Sequence, residues 1–316
     1  MIEYVFIGVD IAKNKFDVAQ ATCKKKKQFT NNHEGFQKFL AYLMALKKTS
    51  WVTMEATGIY GEALANFLFE NNIKVSVVNP TQIKYFAKSL LQRNKNDFVD
   101  AQVIAQFAEI KKPHTYVPKS KENKALRELL QILDMYVRQL TQWKNKLHAA
   151  TSSIARKAIG AEIKALEKKM AKLKETIKNI AKKDERTNEQ LELVQSIKGV
   201  GIETALRLVA YLPDVQAFSS AKQLAAYIGV SPKQKQSGNF TGQTRLAKTG
   251  EAHIRRALYM PALSAMRFNE HLLPFVERLR KSGHCPMQII GALMRKLTHL
   301  IFGILKSGKP FDPKLV

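Results

Sequence analysis

The sequence predicts an α/β domain, then a central antiparallel coiled-coil hairpin, then a mainly α-helical C-terminal domain. Three observations carry this reading. Short apolar runs near the start alternate with helix-period segments, as in a mixed sheet between helices. From about Lys119 to Arg186 the composition shifts to Lys, Glu, Gln, Leu and Ala, with apolar residues at 3-4 spacing. Beyond it, glycine-bearing turns separate apolar helical runs. At 316 residues the chain is long enough for at least two cores. The boundaries read as 1–118, 119–190 and 191–316.

Tyr4 to Asp10, YVFIGVD, is an apolar run ending in an acid. Lys15 to Thr22 alternates as a half-buried strand does. Lys24 to Lys27 is a basic turn, and Gln28 to Asn31 gives a third strand, so the sheet opens as a meander. Glu34 to Leu46 is helical, with Phe36, Phe39, Leu40 and Leu43 on one face. WVTMEATG, Trp51 to Gly58, reads as a buried strand with Glu55 at its end. Tyr60 to Asn71 is helical, Lys74 to Val78 is a strand, and Pro80 starts the next connection. RNKNDFVDAQVIAQFA, Arg93 to Ala108, supplies a last helix with Phe98, Ala101, Val103, Ile104 and Phe107 as its apolar positions. The order βββ-α-β-α-β-α is one that the RNase H-like fold satisfies.

Leu126, Leu130, Leu133, Val137, Leu140 and Leu147 keep the 3-4 spacing until polar His148 to Ser153 weakens it. Ile163, Leu166, Met170, Leu173, Ile177 and Ile180 resume it in another register, with Gly160 near the break. Two long helices turning somewhere in 148–162 follow. Their lysines form a solvated face or a surface for a second protomer, RNA or DNA, and the sequence does not choose. Ile197-Lys198-Gly199-Val200-Gly201, followed by an apolar helix, resembles a helix-hairpin-helix turn. In that reading Lys198, Gly199 and Gly201 meet nucleic acid, because glycines let backbone N–H groups approach a phosphate. A purely structural turn fits the same residues. Ser219 then caps a helix running to Tyr227. Tyr227 to Gly250 has the composition of a flexible surface loop. It also carries Lys233, Lys235, Arg245 and Lys248 with no carboxylate, which suits a phosphate-facing segment. Helices over Glu251 to Phe268 and Pro286 to Leu305 supply a core beneath it.

Charge sets the class of partner. Lys and Arg number 52 against 26 Asp and Glu, a net charge of +26. A polyanion would relieve that self-repulsion, so nucleic acid is the default partner, with a ribosomal or membrane-surface role as the alternative. Cys23 and Cys285 lie far apart without a CxxC, which argues against a zinc ribbon and a disulfide scaffold. Glu3 and Asp10 interrupt the early apolar run, so no signal peptide is expected. An apolar stretch of membrane-spanning length is not evident either, and a cytoplasmic, nucleoid-associated protein without a membrane partner is expected.

Asp97 and Asp100 stand on one face of their helix, about a turn apart. Taken alone they read as a helix start whose acids suit the macrodipole. Asp10 and Glu55, at the ends of the predicted first and fourth strands, change that reading. Converging carboxylates repel unless a cation neutralises them. Hard oxygen ligands select Mg²⁺ or Mn²⁺. Two such ions about 3.5–4 Å apart can activate a nucleophile and stabilise a leaving oxygen in phosphoryl transfer.

GVDIAKNKFDVA, MEATGIYGEAL, VVNPTQIKYFAKS and KNDFVDAQVIAQFA resemble the N-terminal RuvC-like domain of DEDD-type insertion-sequence transposases, a bacterial family described as bridge-RNA-guided recombinases. AAYIGVSPKQKQSG and GQTRLAKTGEAHIRRAL resemble the C-terminal transposase domain of the same family. The resemblance spans about residues 4–305 in the family's domain order. It implies that Asp10, Glu55, Asp97 and Asp100 bind the metal, although Lys95-Asn96-Asp97 stands where the family more often has Lys-Thr-Asp. It also implies that Ser237, of the Ser-Gly pair after Gly229-Val230-Ser231-Pro232, is the nucleophile. Strand cleavage through a covalent phosphoserine, donor and target DNA, an element-encoded guide (bridge) RNA and a homo-oligomer, dimer or tetramer, with composite sites follow from the resemblance alone.

A serine hydroxyl needs a base or metal to become nucleophilic. His253 is nearest in sequence and reads as structural, while His33, His114, His148, His271, His284 and His299 show no ligand spacing. Activation by the acidic site, from the same or a neighbouring protomer, is the expectation. Two rivals stand beside it: a metal-dependent Holliday-junction-type nuclease without a serine nucleophile, and a non-catalytic basic scaffold that binds nucleic acid.

Overall fold

The computed structural model describes residues 4–23, 26–56, 60–90, 97–212, 214–234, 236–237, 240–241 and 244–313. Its contacts divide the chain into two units, Met1–Pro118 and Lys119–Val316.

The first unit is built on a mixed sheet of five strands, β1 (Tyr4–Ile11), β2 (Lys15–Gln20), β3 (Lys27–Thr30), β4 (Thr49–Glu55) and β5 (Lys74–Val78), in the order β3-β2-β1-β4-β5. β1, β2 and β3 form the expected antiparallel meander, and β4 and β5 run parallel to β1. Parallel neighbours need crossovers, and α1 (His33–Ala45) and α2 (Glu62–Glu70) lie between β3, β4 and β5 in the chain. Strand alternation assigns the two faces. Ile7, Val9, Phe16, Val18, Val52 and Met54 point one way and pack with Phe36, Phe39 and Leu43 of α1 and Leu64 and Leu68 of α2.

Gly8, Trp51 and Thr53 take the other face, which α4 (Asp97–Lys111) covers. Gly8 is the point of closest approach. A Cβ there would stand 2.0 Å from Ala101 O and 2.4 Å from Ala105 N, so only glycine lets α4 settle on β1. The sequence reading missed α3 (Pro80–Ser89), treating it as a connection. Its signals are present: Asn79 caps it by accepting from Thr81 N at 2.8 Å, and Pro80 occupies the first turn.

The second unit is mainly helical. α5 (Lys121–Ala149) and α6 (Ser153–Lys183) are joined through residues 150–152, at the early end of the expected range. Gly160, expected near the break, lies inside α6. The pair runs antiparallel: Lys144 Nζ meets Glu167 Oε1 at 3.2 Å, and Leu126, Leu130 and Leu133 share a core with Ile177 and Ala181. α7 (Glu185–Gln195), α8 (Ile202–Tyr211), α9 (Ala221–Ile228), α10 (Ala252–Phe268), α11 (Leu273–Lys281) and α12 (Pro286–Ser307) complete it. α7 and α11 were not separately foreseen. The cap of α9 is Ser220, not Ser219. Ser220 Oγ accepts from Gln223 N, and Gln223 Oε1 reaches back to Ser219 N at 3.0 Å.

α12 has 22 residues and a mean hydropathy of 1.3, long and apolar enough by length and composition to cross a membrane, where none was expected. Half of that window is buried inside the unit, with Ile289, Leu293, Leu297 and Ile301 in its core, so it serves as the central packing helix.

Candidate functional site

Asp10 and Glu55 are neighbours because of the sheet register. β1 and β4 pair in parallel up to Val9↔Met54, so the next position on each strand is Asp10 beside Glu55. Alternation puts both on the face of Gly8 and Thr53, the one under α4. Both are half-buried. Asp100 is half-buried too, one residue before the Ala101 carbonyl that touches Gly8. Asp97 opens α4, one helical turn earlier. Its side chain lies outside the described residues.

If these acids are the ligands, their set is all carboxylate oxygen, a chemistry that fits a hard divalent cation such as Mg²⁺ or Mn²⁺. Among the described residues, which omit the Asp97 side chain, no three His, Cys, Asp or Glu side chains are grouped as a metal site. Asp17 was not singled out from sequence. It pairs with Asp10 across β1 and β2 and is 2% exposed. Gln28 Nε2 donates to its Oδ1 at 2.9 Å, and Lys26 Nζ lies 3.3 Å and Lys15 Nζ 3.9 Å away. These cations neutralise the buried carboxylate. The mid-strand acid in KFDVAQ was its signal.

The glycine turn of the second unit joins α7 to α8. Gly199 has φ +99°, a backbone state that favours glycine. Gly201 has open space around it and precedes α8 without a side-chain cap. Lys198 is engaged with Glu270, Nζ to Oε1 at 2.9 Å, and this bond holds the Glu270 carboxyl below its usual range. The buried Asn269 donates to Lys198 O at 3.0 Å, tying the turn to the end of α10.

The basic segment is a ribbon rather than a plain loop. β6 (Pro232–Lys233) pairs with β9 (Arg245–Leu246), and β7 (Gln236–Ser237) pairs with β8 (Phe240–Thr241). The ribbon springs from Gly229, whose φ of +81° ends α9, with Gly229 N and Val230 N both bonded back to Ala225 O at 3.0 Å. Ala247 N donates to Ser231 O at 2.9 Å and Lys248 N to Gly229 O at 3.1 Å, closing the base.

Ser237 sits in β7, opposite Phe240, and its side chain lies outside the described residues. Lys235 does too. Lys233 and Arg245 are exposed cross-strand partners. Lys248 is exposed with φ +55°. Period-based reading missed these strands because each has two residues.

Sequence reasoning also passed over Arg255. Its Nη1 donates to Ile228 O at 2.8 Å at the mouth of the ribbon, and burial lowers its pKa, opposed by Glu251.

Comparison with known proteins identifies the family. A DEDD transposase model of the IS110 group matches residues 7–155. A second, described as Transposase IS116/IS110/IS902 family, matches residues 191–277. The chain is 32% identical to the Pilin gene-inverting protein of Moraxella bovis, over 98% of each chain. It is 27% identical to the Transposase for insertion sequence element IS1111A of Coxiella burnetii, over 84% of this chain and 79% of that one. The Transposase for insertion sequence element IS1328 of Yersinia enterocolitica is 24% identical over 99% of this chain.

Proposed function

Because the chain belongs to the IS116/IS110/IS902 family of transposases, we propose that it recombines DNA with Ser237 as nucleophile and a divalent-metal site at Asp10, Glu55, Asp97 and Asp100. The observation that carries the metal half is the register that seats Asp10 beside Glu55 under the helix that Asp97 and Asp100 open. In this reading the first unit is an RNase H-like, RuvC-like domain, the paired α5 and α6 a coiled-coil hairpin, and residues 191–316 the transposase domain.

Mg²⁺ or Mn²⁺ held by those acids would supply Lewis-acid stabilisation of charge on the scissile phosphate. The Ser237 hydroxyl attacks phosphorus, losing its proton. A serine–phosphate bond forms as the bond to one deoxyribose oxygen breaks, and that oxygen leaves as a hydroxyl. A hydroxyl from the exchanged strand then attacks the phosphoserine, restores a phosphodiester and returns the proton to Ser237. Lys233, Lys235, Arg245 and Lys248 neutralise and position the backbone. Lys198, Gly199 and Gly201 hold a second backbone segment, with exchange of the Glu270 partner for phosphate at Lys198. An element-encoded guide RNA pairs with donor and target DNA, and a dimer or tetramer completes the sites. The +26 charge supports a large polyanionic partner.

Inversion deserves a place beside transposition. The gene-inverting proteins of Moraxella match at 32% identity along nearly the whole chain. Cutting and rejoining is common to both outcomes, which differ in how two sites are arranged. A plasmid bearing the element's two ends tests the reading. Ser237→Ala and Asp10→Ala are each expected to abolish recombination while DNA binding stays within about two-fold. Cleavage that survives Ser237→Ala points to the resolvase-like nuclease instead, and recombination that survives Asp10→Ala removes the metal site.

A further inference from the structure

The two stems of the serine ribbon meet at the end of α9, where the first turn of α10 holds one of them. Arg255 grips Ile228 O where the ribbon begins. Where it ends, Gly250 passes so close to Tyr227 O that a Cβ would stand 1.9 Å away. The same first turn of α10 faces Asp134 of α5, a carboxylate 8% exposed among the apolar positions Leu130 and Leu133. Asp134 Oδ1 pairs with Arg207 Nη1 of α8 at 2.7 Å. Its Oδ2 faces Arg256 Nη1 at 3.7 Å and His253 Nδ1 at 3.8 Å, both on α10. The His253 ring lies flat on Tyr211 at the end of α8, centroids 4.5 Å apart and 2° between planes. One carboxylate thus joins α5, α8 and α10.

A buried carboxylate is a poor way to gain stability. Desolvation offsets most of the attraction, and replacing a whole buried ion pair by apolar side chains of similar size is often neutral or better. What such a joint supplies is geometry. It also stands partly open: Asp134 Oδ2 and His253 Nδ1 are buried without a hydrogen-bond partner among the described residues, too far apart to bond each other. We propose that Asp134 is a positioning residue of the strand-cleavage reaction, fixing the first turns of α10 and, through Arg255, the ribbon that carries Ser237. This rests on the assignment of Ser237 as nucleophile. Asp134 touches no reacting atom; it acts through α10.

The test uses the full chain with Asp134→Asn and Asp134→Leu. Each strands the Arg207 guanidinium, so Tm is expected to fall; at a temperature where both variants are folded, DNA affinity should stay within about two-fold. Formation of the Ser237–DNA adduct should slow at least ten-fold, while amide exchange of Ala247 and Lys248 quickens. Wild-type adduct rates in both variants, or slowing that only follows lost DNA binding, overturns the proposal. Should neither variant fold, Arg256→Gln, on an exposed side chain, replaces them. Slower adduct formation at unchanged Tm then supports the joint, and an unchanged rate overturns it. A wild-type protein that forms no adduct refutes the Ser237 assignment instead, and amide exchange at Ala247 and Lys248 then decides whether the joint exists.

Discussion

At the residue scale, the acidic face depends on an atom that is missing. Gly8→Ala would drive a Cβ into the α4 backbone, which has no flexible end to swing aside. The expected cost is about 1–3 kcal/mol, read as a lower Tm. On the proposed assignment of the acids, cleavage should fall further than stability does, because the helix bearing Asp97 and Asp100 would lift from Asp10. Gly201→Ala makes the opposite case: nothing lies within 4 Å and its φ is −77°, so Tm should hold while DNA affinity falls if a phosphate approaches that turn. Gly199→Ala, at φ +99°, should cost about 1–2 kcal/mol. Asp10 and Glu55 were legible in the sequence because each ends an apolar run. Asp17 left a trace, an acid in mid-strand that was passed over, whereas Asp134 and Arg255 are recognisable only once their partners on other elements are known. Ser237 came from family resemblance, not from any local pattern.

At the element scale, α12 carries a pH dependence. Burial, with Arg295, Lys296 and Lys222 nearby, holds the pKa of His299 below its ordinary 6.5. The unfolded chain therefore binds more protons than the folded one between that lowered value and 6.5, so stability falls as pH drops through this window. Above 6.5 the contribution is fully retained. His299→Gln should show a smaller loss of Tm between pH 7.5 and about 5.5 than wild type, and an equal loss would contradict the assignment. Long periodic elements such as α5, α6 and α12 were visible from the spacing of their leucines and isoleucines. α3 was hidden because Pro80 was read as the start of a connection, although Asn79-Pro80 is also a helix start. The ribbon strands were hidden because two residues carry no period, and only pairing with Arg245–Leu246 and Phe240–Thr241 defines them.

At the scale of the whole molecule, the charge surplus predicts how binding responds to salt. If the +26 protein meets DNA through lysine–phosphate contacts, log affinity should fall linearly with log salt, by about 0.9 per phosphate neutralised. Lys233→Ala and Lys248→Ala should each lower that slope by about 0.9, and an unchanged slope would remove them from the interface. Composition pointed to a polyanion, and the proposed reaction draws on acids of the first unit and a serine of the second. The most direct test of that sharing is a denaturing gel of the wild-type protein incubated with labelled element-end DNA and the co-expressed flanking RNA, with and without Mg²⁺. A protein–DNA band that survives denaturation, requires Mg²⁺, and disappears in both Ser237→Ala and Asp10→Ala is the predicted result. Cut DNA with no such band in the wild type, or a band that persists in Ser237→Ala, would contradict the account.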